Sequence, residues 1–275
     1  MSAFATVPAL HHGSLAAVQF SVLLGPAVLG VLLWGLAAGW VVAWFAHRYH
    51  EELDDEGYDI AVLGAARCEH CHHELALEEV APFQAFRCAW CRLPLPKSWC
   101  FAQFSVAAAS LAMLAAFGTR LVLLPVLWLV PVLVLAAMVD ARTFLIPKRV
   151  VWIGFGVGLA MITTVSLIIG HPDLIVHALI GSAGYFAVLF ITNLINPAGM
   201  GFGDVRLAVV LGLYLGWIDL RLPMYGLLLA SILGLVFGLV RRATAATDEG
   251  KAFPFGPGLA AGTLCAVFIS QTLLN

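Results

Sequence analysis

The chain has 275 residues, 62% of them hydrophobic and only 11% charged, with a formal net charge of -2. That composition excludes an ordinary water-soluble enzyme, and with no basic stripe to neutralise a phosphate backbone it excludes nucleic acid as a partner. The fold class it implies is an all-α polytopic membrane protein bathed in membrane lipids. A spanning helix needs about 20 apolar residues. In chain order the candidates are 19–46, 101–119, 121–139, 150–170, 175–195, 205–220, 222–240 and 255–274, which makes about eight transmembrane helices.

The N-terminal stretch lacks the basic region and small-residue cleavage site of a secretory signal, so it is expected to stay attached as the first span. Three regions follow: a first transmembrane segment over 1–46, a polar loop over 47–100, and a membrane domain of about seven helices over 101–275. The sixth segment is the shortest. Fourteen residues, Val205 to Ile218, lie before Asp219, and they would reach about 21 Å of a roughly 30 Å core. A helix running from Asp204 to Arg221, or a re-entrant segment, would resolve the shortfall.

Alternating these spans from an outer N-terminus puts Arg48, Arg67, Arg87, Arg92, Lys97, Arg142, Lys148, Arg149, Arg206, Arg241, Arg242 and Lys251 on one side. Only Arg120 and Arg221 fall opposite. Lys and Arg resist translocation, so the basic side is expected to face the cytoplasm of a bacterial inner membrane. Asp140 and Asp204, separated by two spans, then share that face.

The loop contains Cys68-Glu69-His70-Cys71 and Cys88-Ala89-Trp90-Cys91, two C-x2-C units separated by sixteen residues. Each presents two thiolates, and together they complete the S4 shell that suits zinc. Disulfides would be the alternative in an oxidising compartment, but the charge asymmetry places the loop in reducing cytoplasm. A closed four-thiolate shell leaves no position for water, so the metal is expected to fold the loop rather than to react. His70, His72 and His73 read as surface residues. Cys100 and Cys265 read as packing residues.

Ionised side chains are costly in hydrocarbon, so Asp140 and Asp204 need a functional reason. Two nearby carboxylates cannot both ionise, and a pair sharing one proton can activate water while polarising a carbonyl. Asp204 closes Gly201-Phe202-Gly203-Asp204, whose glycines permit unusual backbone angles and close approach. Asp140 is expected to end the third span, with Pro147 in the first turn of the fourth.

The runs Asp140 to Pro147, Gly199-Met200-Gly201-Phe202-Gly203-Asp204-Val205-Arg206 and Pro254-Phe255-Gly256-Pro257, together with the cysteine loop, resemble bacterial prepilin peptidases. These are the type IV leader peptidases, membrane aspartyl proteases of the G-x-G-D class. The resemblance runs from about residue 39 to the C-terminus. It implies that Asp140 and Asp204 are the catalytic pair and that the substrates are type IV prepilins or type II secretion pseudopilins, cleaved at the cytoplasmic membrane face. Pro254, Phe255, Gly256 and Pro257 would begin the last span at the same level, with backbone groups available to a substrate strand or as a plain loop-to-helix boundary.

Many members of that family also methylate the new N-terminal amine with S-adenosylmethionine. Here the segment Gly39-Trp40-Val41-Val42-Ala43-Trp44 keeps the glycine of the usual Gly-Ser-Phe-Leu-Asn-Val but lacks its serine and asparagine. Gln103 stands where an acidic residue is common. Methyl transfer is therefore left open beside the peptidase. The rival classes are a proton-coupled transporter that uses the carboxylates as a relay and a noncatalytic pilus or secretion assembly scaffold. A presenilin-like intramembrane protease shares the G-x-G-D logic but not the cysteine loop.

Overall fold

A computed structural model describes residues 15–53, 59–80, 87–196, 201–244 and 255–272. Eight α-helices occur in this order: α1 (Leu15–Ala46), α2 (Lys97–Phe117), α3 (Leu123–Thr143), α4 (Lys148–Ile168), α5 (Asp173–Ile195), α6 (Phe202–Ile218), α7 (Leu222–Thr244) and α8 (Gly256–Thr272). Six are long and apolar enough to cross a membrane; α6 and α8, at 17 residues each, are the short ones. Exposed Leu, Ile, Val and Phe side chains cover the outward faces of α4, α5 and α7. In a water-facing protein that surface would be a liability, whereas in hydrocarbon it costs nothing.

Lipid supplies no hydrophobic drive between helices, so close backbone approach through small residues takes over. Three antiparallel pairs are built this way. Gly35 and Gly39 of α1 lie against Ala107 and Gln103 of α2, where an added Cβ would come within 2.6 Å of the opposing Cα in each case. Gly181 of α5 packs between Gly212 and Gly216 of α6, and Gly258 and Gly262 of α8 pack on Ala230 and Gly234 of α7. Each pair uses two small residues four apart on at least one helix. These three are also the most extensive helix-helix contacts in the bundle.

The pairs are tied together by α3 and α4. Helix α3 packs on α1, α2, α4 and α8, whereas α6 packs on α4, α5, α7 and α8. Thus α4 and α8 both touch the two helices that carry the aspartates. These two helices are the ones most enclosed by protein, with buried residues around nearly the whole circumference of α6. A polar group is least costly on such a helix, because it never meets lipid.

Helix α6 is one continuous helix that does not extend to Arg221. It begins at Phe202, two residues before Asp204, and its 17 residues span about 25 Å. It stops at Ile218 because Asp219 takes an extended conformation and its Oδ1 accepts the Arg221 backbone N–H at 2.7 Å. Helix α3 continues beyond Asp140 to Thr143, one turn further than expected. Thr143 Oγ1 donates to the Val139 carbonyl at 2.9 Å, and left-handed Phe144 at φ 56° closes the helix with its N–H on the Asp140 carbonyl.

The loop between α1 and α2 is not wholly irregular. Strands β1 (Tyr49–Leu53) and β2 (Asp59–Leu63) pair antiparallel with Tyr49 opposite Leu63. His47 fastens its base: Nδ1–H donates to the Ala43 carbonyl at 2.7 Å, which leaves Nε2 to accept from Ser98 at 3.0 Å, and the ring stacks on Trp99. Burial, helped by nearby Arg142, pushes His47 down to about 4, so the imidazole is the neutral form this bonding pattern requires.

Candidate active site and metal centre

The two C-x2-C units fold as near copies. Cys68 N–H donates to the His73 carbonyl and His72 N–H to the Cys68 carbonyl; Cys88 N–H donates to Leu93 and Arg92 N–H to Cys88, all at 2.9–3.0 Å. Short antiparallel bridges join Arg67 to Glu74 and Arg87 to Pro94. The residue after each second cysteine is left-handed, His72 at φ 57° and Arg92 at φ 58°. Leu75 and Leu95, at equivalent positions, are both buried. The repeat was visible in the cysteine spacing, but the backbone symmetry was not.

The four Sγ atoms lie within 4.8 Å of one another. Cys68 and Cys91 Sγ are 3.7 Å apart, as are Cys71 and Cys88. A tetrahedral ion with metal-sulfur bonds of about 2.3 Å requires edges of about 3.8 Å, so the donor set fits a four-thiolate ion. His70 and His72 are exposed, while His73 stacks on Trp90 at 5.5 Å and pairs with Glu79. Cys100 is half-buried and Cys265 exposed on α8, both outside the cluster.

The aspartates come together at the end of the bundle where α3 finishes and α6 and α8 begin. Asp140 is 4% exposed and Asp204 6%, so both are withdrawn from solvent and lipid alike. Asp140 is the ionisable group that acts electrostatically on Asp204. Gly203 makes the approach possible: an added Cβ would lie 3.1 Å from Ile146 Cβ and 3.2 Å from Ile146 N, in the loop that follows Asp140. Gly201 is the extended residue just before α6, with its carbonyl accepting the Asp204 N–H at 3.1 Å.

Helix α8 supplies the third side. Gly256 N–H donates to Asp140 Oδ2 at 2.9 Å across 116 residues of sequence, and this contact is buried. Phe255 is half-buried ahead of the helix, and Pro257 occupies the first turn, where its missing N–H costs nothing. Pro254 lies outside the described residues, as do Gly199 and Met200.

Two further contacts frame this corner. Arg142, two residues beyond Asp140, donates from Nη1 to the Ala46 carbonyl at 3.1 Å and so ties the α3–α4 turn to the end of α1. Arg206 lies over the Phe202 ring at 4.6 Å on the approach to Asp204. Along the sequence both arginines count as topological charges, with Arg142 also a candidate headgroup partner of Asp140 and Arg206 the end of the Gly199–Arg206 run. Arg142 also lies inside the Asp140–Pro147 run.

The fold and site define a class: a polytopic α-helical membrane protein with a buried carboxylate pair at one end of its bundle and a four-cysteine loop inserted after its first helix. Residues 127–239, which include both aspartates, match the type IV leader peptidase family. It is 29% identical over 223 residues to a prepilin leader peptidase/N-methyltransferase of Pseudomonas putida, covering 78% of this chain and 75% of the relative. A Bacillus subtilis (strain 168) protein of the same name is 26% identical over 213 residues, covering 76% and 83%. One from Burkholderia pseudomallei (strain K96243) is 29% identical over 221 residues, covering 77% and 69%. No solved structure matches the chain.

Proposed function

We propose that this protein is a prepilin peptidase that uses Asp140 and Asp204 to cleave the leader of type IV prepilins or type II secretion pseudopilins at the cytoplasmic face of the inner membrane. The observation that carries the reading is the meeting of two buried aspartates from α3 and α6, 64 positions apart in sequence, at one end of an otherwise apolar bundle. In low dielectric two adjacent carboxylates hold one proton between them. The ionised member takes a proton from water, and the protonated member polarises the scissile carbonyl. A relay or a transporter needs a polar path through the bundle, whereas these carboxylates sit at its end.

Zinc is the ion that the four cysteines suit, and its role is structural. All four tetrahedral positions are taken by sulfur, so the ion supplies no open site for water or carbonyl. It holds a loop whose buried apolar side chains, cysteines and the α2 start apart, are Tyr49, Ala66, Leu75 and Leu95 among the described residues.

S-adenosylmethionine is less well served. Gly39, which opens the segment lacking the usual serine and asparagine, packs directly on Gln103, which stands where an acidic residue is common. Gln103 is buried, and its amide nitrogen has no partner among the described residues. A neutral amide offers hydrogen bonds but no negative charge to hold a sulfonium. Peptide cleavage is the activity that these residues support.

The test is cleavage of a prepilin by wild type, Asp140→Asn and Asp204→Asn, with the mass of the product N-terminus read in the presence of S-adenosylmethionine. Loss of cleavage in both variants is expected; retained cleavage in either one sinks the dyad. A product heavier by one methyl group restores the methyltransferase.

A further inference from the structure

Phe255, Gly256 and Pro257 do more than open α8. A helix begins with N–H groups that have no partner of their own, and they carry the positive end of its dipole. In α8 these donors are few. Pro257 has none, and Leu259 N–H is used by the Phe255 carbonyl at 3.0 Å. Gly256 N–H points at Asp140 Oδ2 instead. No other residue type fits there, since an added Cβ would lie 2.7 Å from Oδ2 and 2.9 Å from Cγ of Asp140.

The two carboxylates are therefore not equivalent. Asp140 receives a buried N–H, an interaction that favours the charged form of a carboxyl. Asp204 Oδ1 is buried with no hydrogen-bond partner among the described residues, and the charged group acting on Asp204 is Asp140 itself. Arg142, two residues from Asp140, is turned to the Ala46 carbonyl, and Arg206, two residues from Asp204, lies over the Phe202 ring. An ionised Asp204 would add a second uncompensated negative charge, which a proton on Asp204 removes.

We infer that the Gly256 amide is a positioning element of the peptidase, holding Asp140 as the carboxylate that activates water and leaving Asp204 to carry the proton. This rests on the peptidase reading above. Asp140 takes a proton from water as the water oxygen bonds to the scissile carbonyl carbon, and Asp204 gives its proton to the carbonyl oxygen, forming a neutral gem-diol. Asp140 then passes its proton to the leaving nitrogen as the C–N bond breaks. Asp204 recovers a proton from one gem-diol hydroxyl, which returns the pair to its starting state.

The experiment uses the full chain in lipid nanodiscs. Infrared spectra at neutral pH, without substrate, are recorded for wild type, Asp140→Asn and Asp204→Asn, and read for the C=O stretch of a protonated carboxyl. The band should be present in wild type and Asp140→Asn and absent in Asp204→Asn. A band that persists in Asp204→Asn, or is missing from wild type or Asp140→Asn, overturns the assignment.

In a prepilin cleavage assay, Gly256→Ala should lower kcat by roughly 100-fold, the scale of a misplaced reacting group, with KM little changed. Gly184→Ala, where an added Cβ meets nothing within 4 Å, should match wild type. An unaltered kcat in Gly256→Ala, or a loss confined to KM, overturns the positioning role. Wild-type protein that cleaves no prepilin overturns the peptidase reading on its own, because the band pattern is read without substrate.

Discussion

The cysteine loop and the aspartate corner face the same need, to hold a few polar atoms in fixed geometry, and they meet it by opposite means. Among the described residues the loop buries few apolar side chains, so four sulfurs around one point hold two turns that would otherwise have little reason to stay folded. The aspartate corner has no such linkage. It relies on enclosed helices, close glycine contacts and a single buried N–H from α8. The lesson concerns tolerance: the loop depends on its ligands and little else, whereas the corner depends on many contacts of which each is small.

The largest effect on catalysis is chemical and confined to the corner. Asp140→Asn or Asp204→Asn should reduce prepilin cleavage by about 10²–10⁴-fold, the range associated with a positioned acid or base, while the metal content of the purified protein stays the same. A matching loss of metal would mean that the two regions fold as one and would break the comparison.

Next comes removal of the metal. Cys68→Ser, or exhaustive chelation, forfeits most of a binding energy on the order of 10 kcal/mol. Limited proteolysis should then cut within residues 47–100, while helical content by circular dichroism changes little. Cleavage lost with the loop still protected would place a metal in the chemistry instead.

Smaller still is a packing change inside the bundle. Gly216→Leu places a side chain where an added Cβ would already be 2.7 Å from Gly181 Cα, and it should cost about 1–3 kcal/mol by overpacking. The readout is a lowered Tm in detergent with unchanged metal stoichiometry; Gly184→Leu on the open face of α5 is the control.

Arg142 is where the two regions touch, since it reaches the carbonyl at the end of α1 from the turn after Asp140. Arg142→Ala should destabilise by about 1.5 kcal/mol, the scale of a charged hydrogen bond, and this variant should affect both loop protection and cleavage. The smallest effect belongs to the left-handed turns. His72→Gly or Arg92→Gly relieves a positive-φ side chain and should raise resistance of the loop to chelators by no more than about 1 kcal/mol.

Much of the architecture was legible along the chain because lipid imposes a simple rule, that a spanning segment is long, apolar and helical. The eight segments therefore appear where hydropathy put them, with ends moved by a few residues. Those shifts occurred where local hydrogen bonds overrule hydropathy: at Thr143 and Phe144, which carry α3 one turn past Asp140, and at Asp219, which stops α6 early. The hairpin of β1 and β2 was not foreseen, because five-residue strands in a polar loop carry too little periodicity to stand out.

By itself the sequence determined the kind of solvent, the eight helices, the S4 donor set and the residue types from which a peptidase site could be made. Each of these follows from composition or from short fixed spacing. Tertiary structure alone decided the arrangement of the corner: that Gly203 lies against Ile146, that Arg142 reaches Ala46, and that Gly256 aims its N–H at Asp140. These partners are separated by 57, 96 and 116 positions in the chain. No local preference encodes such contacts, which arise only when helices are packed closely enough for one backbone to stand where another residue's Cβ would have been.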